Sequence, residues 1–294
     1  MQRPGSLNSD LIPHTIRDAM SFARSLGVSY LWIDAVCIIQ DDEEDKAIQL
    51  ANISNVYRHA IFTVAVGDGR DVNAGIPGVR VPRSSRQIEV PLPKTGKGAP
   101  KSLLTTLTPR REFYMPVTET CVWSTRAWTL QEHALSRRAI VFMDQQIFWH
   151  CSQARWAEET HSESSLGKPS WVNMQDISML NTFDQNTDLW RTLEILIRNF
   201  KVRNLTHPGD AHDAFSGILD AMERRTGDTF LWGMSTSVFE VCLCWLPYGP
   251  YPPARRSCLT SRKVTCLKRR VPFPSWSWLG WGGHHQAIKH DKDR

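Results

Sequence analysis

The chain has 294 residues, 41% of them apolar and 22% charged, which is ordinary globular usage and excludes a collagen, a coiled coil or a disordered polymer. No apolar run approaches the ~18 residues of a membrane helix, and the net charge of +5 is too small by itself to argue for nucleic-acid binding. That excess is uneven: acids are absent between Glu240 and Asp291, where a basic segment over 255–270 lies, and the preceding chain is mildly acidic. The spacing of Ile16, Met20, Ala23 and Leu26 predicts a helix over 13–26 ended by Gly27. The apolar run 28–39 reads as a buried strand that ends near Asp34, and the acids of 41–45 open a second helix reaching Tyr57, where the dipole favours negative charge. A strand over 61–66 follows, and strand, helix, strand predicts parallel pairing within a covered sheet.

From 67 to 100 the chain is rich in Gly, Pro and Ser, with one strand expected over 87–92 and a mobile loop over 94–101. A compact helix over 125–135 precedes strands over 139–143 and 146–151, joined at Asp144-Gln145. The soft stretch 158–168 suggests a boundary that divides an α/β core, 1–157, from a mixed α+β extension, 158–294. The extension carries helices over 188–201 and 210–225, then a Cys- and Trp-rich stretch, the basic segment and the run 273–281. Seven scattered cysteines and an opening without a charged-then-apolar leader predict a reduced, cytoplasmic location, and make Asn204-Leu205-Thr206 a chance match to the glycosylation pattern.

Chemistry has two places to sit. Ligands of open α/β sheets bind at the carboxyl ends of strands, so Asp34 faces the expected crevice, with Gln40 and Asp41 close behind; its alternative role is to accept loop amides and shape the turn. Cys37, between Val36, Ile38 and Ile39, reads as a buried, inert thiol. On a helix, Trp128, Gln131, Glu132 and Leu135 share one face, which places an amide and a carboxylate among large apolar groups. Structural alternatives are a capping box between Thr129 and Glu132, with the helix starting only at Leu130, or an ion pair of Glu132 with Arg126 or Arg137.

Other signals are weaker. Cys242, Cys244, Cys258 and Cys266 lack zinc-ribbon spacing, so no metal site is expected. The His284-His285 pair reads as solvated, and neither a Walker loop nor a Gly-x-Gly-x-x-Gly fingerprint is present. The alternation over 274–278 predicts a strand with Trp276 and Trp278 on one face. The basic segment has few aromatics between its charges and reads as a solvated surface rather than a nucleic-acid groove.

Three ordered blocks then resemble one family. The segments 30–42 (YLWIDAVCIIQDD), 53–65 (ISNVYRHAIFTVA) and 126–132 (RAWTLQE), with Leu135-Ser136-Arg137-Arg138 after them, resemble the heterokaryon incompatibility (HET) domain of filamentous fungi over about residues 11–150. Arg203-Asn204-Leu205-Thr206, 210–217 and 274–278 are similar to segments that often follow it. The strand block that usually opens such domains has no counterpart in 1–11. The resemblance implies fungal non-self recognition and programmed cell death, with other incompatibility proteins or self-association as partners. It also implies a distant kinship with Toll/interleukin-1 receptor (TIR) domains, hence a TIR- or flavodoxin-like α/β core with a partly parallel sheet flanked by helices. Some TIR domains cleave NAD with a glutamate, so Glu132 and Asp34 become the expected catalytic pair and Gln40, Arg126, Trp128 and Gln131 the expected ligand-binding residues. NAD is then a substrate, and no cofactor is called for. The rival expectations are a non-enzymatic interaction module and, resting only on 255–270, a basic nucleic-acid-binding regulator.

Overall fold

The computed structural model describes residues 12–67, 69, 71–83, 87–91, 102–106, 121–143, 145–151, 155–157, 189–247, 254–256, 273–282 and 285–287. Helix α1 (His14–Ser25) begins after Pro13 and ends at Gly27, whose φ of 72° is the left-handed conformation that glycine adopts without strain. Its buried Asp18 accepts the Ile76 N–H at 2.8 Å and pairs with the Arg80 guanidinium, so the loop 71–81 is fastened onto the helix.

The strand expected over 28–34 does not form. Residues 28–33 form no regular element and pair with no strand among the described residues, and Tyr30 is 91% exposed. A strand-like composition sets the backbone conformation, whereas a strand also needs a neighbour to receive its hydrogen bonds. Asp34 therefore opens a single helical turn, α2 (Asp34–Cys37), instead of ending a strand, and Cys37 is exposed on that turn rather than buried.

Helix α3 (Glu43–His59) forms as its acidic start predicts. The Asp42 carboxylate accepts the N–H groups of Glu44 and Asp45 at 2.9 and 3.0 Å, with acids in the first turn and Arg58 and His59 in the last. The sheet runs in the order β1 (Thr63–Val66), β4 (Arg138–Met143), β5 (Gln146–Cys151), β6 (Arg155–Ala157). The parallel pairing expected between 28–34 and 61–66 is absent among the described residues because 28–33 is not a strand; β1 pairs in parallel with β4 instead, in register from Thr63 opposite Ala139, while β4, β5 and β6 are antiparallel. The expected strand at 87–92 forms a separate hairpin, β2 (Gln87–Pro91) with β3 (Ser102–Thr106). The loop predicted over 94–101 lies outside the described residues.

Where one helix was expected over 125–135 there are two, α4 (Val122–Thr125) and α5 (Trp128–Leu135). The break comes from a long-range clamp: Asn204 donates its N–H to the Thr125 carbonyl at 2.6 Å and accepts the Ala127 N–H at 2.9 Å. The extension is mixed α+β. It contains α6 (Leu189–Lys201), a 3-10 turn at Pro208–Ala211, α7 (Asp213–Thr226), the hairpin β7 (Phe230–Leu231) with β8 (Met234–Ser235), and α8 (Phe239–Leu243). Two short ribbons pair β9 (Trp245–Pro247) with β12 (His285–Ala287) and β10 (Ala254–Arg255) with β11 (Trp281–Gly282). The strand expected over 274–278 is instead a turn leading into a 3-10 turn at Trp278–Gly280; Trp278 is buried while Trp276 is exposed, so they do not share a face.

Helix α1 covers one face of the sheet, with Phe22 edge-on to Phe142 at 5.2 Å, and Trp123 of α4 packs on the other beside Ala65, Ala139 and Val141. The largest core lies beyond the sheet and draws on both parts of the chain. Leu130 of α5 meets Leu193 and Phe200 of α6, Phe215 and Ile218 of α7, and Trp278. Those aromatics pack edge-to-face, Phe200 and Phe215 lying 5.8 and 5.0 Å from the Trp278 ring.

Candidate functional site

The site assembles around Glu132. This half-buried carboxyl on α5 is surrounded by Asp34 at the head of α2, Tyr57 of α3, Trp123 of α4, Arg126 at the α4–α5 corner, and Arg203 just after α6. Burial pushes the Glu132 carboxyl up to about 7, opposed first by the positive charge of Arg126, then reinforced by the negative charge of Asp34; a hydrogen bond from Trp123 and the charge of Arg203 pull it back. Tyr57 is held well above the usual phenol range by burial, by Glu132 and by Asp34, so its hydroxyl stays protonated and can donate. Arg203 is brought down to about 10 by burial and remains a cation at neutral pH. Two carboxyls, two guanidiniums and a phenol thus share one place.

The remaining candidates take different positions. Asp34 is exposed, and its Oδ1 accepts the N–H of Ala35 at 2.7 Å, so it both shapes its turn and faces the Glu132 cluster. Gln40 donates its amide to the carbonyls of Asp34 and Ile38 at 3.1 and 3.2 Å, which closes the loop on itself. Arg126 is exposed at the corner between α4 and α5. Trp128 is half-buried and packs on the large core.

Gln131 lies elsewhere. It is fully buried between helices, its Oε1 2.9 Å from where a Cβ on Gly217 of α7 would stand, and both polar atoms of its amide lack a partner among the described residues. The structural alternatives for Glu132 do not arise. Helix α5 begins at Trp128 with no side-chain cap, and the Thr129 hydroxyl instead donates to the carbonyls of Trp123 and Arg126 at 2.7 Å. No ion pair within 4.0 Å joins Glu132 to Arg126 or Arg137 among the described residues.

Sequence reasoning missed Tyr57, Trp123 and Arg203. Tyr57 stands inside the block 53–65 and Arg203 opens Arg203-Asn204-Leu205-Thr206, so both lay in segments already marked, but nothing in their spacing ties them to Glu132.

The family model described as heterokaryon incompatibility protein (HET) matches residues 3–132. Residues 3–132 are thus similar to a HET domain. The match includes Asp34, Gln40, Tyr57, Trp123, Arg126, Trp128 and Gln131 and ends on Glu132, so every member of the cluster except Arg203 belongs to the HET segment. The domain implies a role in heterokaryon incompatibility. No curated protein and no solved structure matches the chain.

Among the described residues, no helix is long and apolar enough to cross a membrane, and no group of three or more His, Cys, Asp or Glu stands ready to hold a metal ion. Of the basic segment, Arg255 lies 4.9 Å from the Trp281 ring and donates to the Phe273 carbonyl, while Arg256 is buried over Phe200 and donates to the Leu279 carbonyl; both charges serve packing. Residues 257–270, Cys258, Cys266 and the His284 side of the histidine pair lie outside the described residues.

Proposed function

We propose that the HET domain is a fungal, cytoplasmic cell-death effector of non-self recognition that hydrolyses the nicotinamide–ribose bond of NAD at the Glu132 cluster, in the manner of a TIR domain. The observation that carries this reading is a carboxyl raised to about 7 beside a second carboxylate, Asp34, with Arg126 alongside. A carboxyl raised toward neutrality beside a second carboxyl and a guanidinium is an arrangement suited to glycosidic-bond hydrolysis. As the bond breaks, positive charge develops on the ribose and the ionised Glu132 stabilises it; water adds to the ribose carbon, nicotinamide leaves, and the proton of the water passes to solvent. Asp34 orients a ribose hydroxyl, and the exposed Arg126 guanidinium meets a phosphate in bidentate fashion. Trp128 supplies a stacking edge and Gln40, exposed beside Asp34, a further polar contact, whereas Gln131, buried against Gly217, is left out of the ligand contacts.

The test is nicotinamide release from NAD by the purified chain and by Glu132→Gln, followed by chromatography. Glu132→Gln is expected to lower turnover by roughly 10²-fold or more. Equal turnover by both proteins removes Glu132 from the mechanism, and no release by the native protein in any assembly state removes the hydrolase.

A second reading, self-association without catalysis, is favoured by a separate observation. The run 28–33, which pairs with no strand among the described residues, exposes Tyr30 and, with α1, borders a groove of about 540 Å³ of mixed polar and apolar lining, in which Arg24 and Ser29 stand beside Met20, Val28 and Leu31. Backbone without a strand partner beside exposed side chains such as Tyr30 can pair with another chain. Light scattering of the native chain and of Leu31→Pro distinguishes this reading: a concentration-dependent oligomer lost in the variant supports it, and a monomer in both discards it.

A further inference from the structure

Arg203 lies outside the HET match and is 5% exposed on the turn that follows α6. Its Nη1 donates to the Thr129 hydroxyl at 2.8 Å and to the Arg126 carbonyl at 3.2 Å, and its Nε donates to the Asn199 carbonyl at 3.2 Å. The Thr129 hydroxyl passes the connection on, donating to the Trp123 and Arg126 carbonyls. Next to it, Asn204 holds the backbone on both sides of the same corner, at Thr125 and Ala127. The corner from which Glu132 projects less than two turns later is therefore shaped by residues 199–204, a segment the HET match does not reach. No carboxylate lies within ion-pair distance of Arg203 among the described residues, so this buried cation is left with neutral partners and acts on carboxyls only through space. A buried charge held by carbonyls and a hydroxyl is costly to keep, and an apolar side chain could have filled the same space.

We propose that Arg203 is the positioning residue of the Glu132 site, its planar fork fixing the α4–α5 corner and its charge favouring the ionised Glu132 carboxylate. The extension is then part of the site rather than an appendage to it. The inference rests on the reading of Glu132 as the reactive carboxyl. The other groups facing Glu132 are Asp34 from α2, Tyr57 from α3, Trp123 from α4 and Arg126 at the corner; Arg126 acts in the same sense as Arg203, and Asp34 opposes them.

The test is the titration of Glu132 in the full-length chain, followed by carboxyl carbon NMR without any substrate. In the native protein the midpoint is expected at about 7. Arg203→Gln should raise it, by less than Arg126→Gln would because Arg203 is the weaker of the two cations acting on Glu132, and Arg203→Lys, which keeps the charge, should bring it back toward the native value. If Arg203→Gln does not fold, the native protein still answers: the Arg203 Nε–H resonance should shift with the midpoint of Glu132 and stop titrating in Glu132→Gln. An unmoved Glu132 midpoint in folded Arg203→Gln, or an Arg203 resonance that ignores Glu132, overturns the proposal. Nicotinamide release is scored separately. Turnover with an unmoved midpoint discards Arg203 and keeps the hydrolase, whereas a moved midpoint without turnover does the reverse.

Discussion

Lys201 is 3% exposed at the end of α6, where its Nζ donates to the Trp278 carbonyl at 2.7 Å and to that of Trp281, over the Trp278 ring. Two neutral acceptors suit an uncharged amine, and burial with the neighbouring Arg256 charge lowers Lys201 from 10.5 to about 6. Between those values the unfolded chain binds a proton that the folded one does not, so this residue makes stability rise with pH from about 6 to 10.5. Glu132 acts in the opposite sense. Its carboxyl is raised from 4.5 to about 7, so between those values the folded chain binds the extra proton and stability falls as pH rises. The two contributions together give a minimum near pH 6 to 7. Chemical denaturation across pH 4 to 10 should show Lys201→Met flattening the alkaline limb and gaining stability near neutrality, and Glu132→Gln flattening the acid limb. The same residues show what a sequence can reveal. Asp34 and Glu132 were marked because each stands in a recognisable block, whereas the depressed Lys201 and the buried Arg203 depend on partners 77 or so positions away, such as Trp278 and Arg126.

Helix α7 packs on both α3 and α5, and the approach is close at Gly217. A Cβ there would stand 2.9 Å from Ser54 Cβ and from Gln131 Oε1, and 3.2 Å from Leu135 Cδ1. Because two of those atoms belong to buried side chains on separate helices, neither can swing out of the way without moving its helix. Gly217→Ala, although it favours helix formation locally, should therefore destabilise the protein by about 1–3 kcal/mol, the usual size of overpacking, measured as a lower urea midpoint. A midpoint equal to the native one would mean that α7 sits farther from α3 than described. Helices α1, α3, α6 and α7 stand within about three residues of where the sequence places them, α1 from its apolar spacing and α3 from its acidic start, and α1 and α7 each end at a left-handed glycine, Gly27 and Gly227. Sequence pattern failed on elements whose state is decided at a distance. The run 28–33 has strand composition but no strand neighbour among the described residues, and the helix expected over 125–135 is cut in two by the Asn204 clamp.

At the scale of the whole molecule, the HET match ends on Glu132, inside α5. One side of that helix carries Glu132 toward Asp34 and Tyr57; another inserts Ala127, Leu130 and Ala134 into the core built by α6, α7 and Trp278. Leu130 and Ala127 are fully buried there, so a chain ending at residue 157 would expose the apolar side of α5, lose the Arg203 and Asn204 clamps, and leave Thr129 without the guanidinium that holds it. The boundary read from the soft stretch at 158–168 separates two compositions, but the largest core has contributors on both sides of it. The full chain is accordingly expected to unfold in one calorimetric transition, with a fragment of residues 1–157 binding the hydrophobic dye ANS and showing no cooperative melt. Trp278→Ala supplies the complementary measurement without truncation. It removes the ring that Phe200 and Phe215 abut and the indole N–H bonded to the Gly233 carbonyl at 2.9 Å, and should cost about 3–5 kcal/mol. Since α5 joins that core to the site, the loss should appear at the far end as well: the Glu132 midpoint should drift toward its unperturbed value of 4.5 as the helix loosens and water reaches the carboxyl. Two separate transitions in the native chain, or a Trp278→Ala protein that melts early only in its extension while the Glu132 titration stays put, would show that the two parts fold independently.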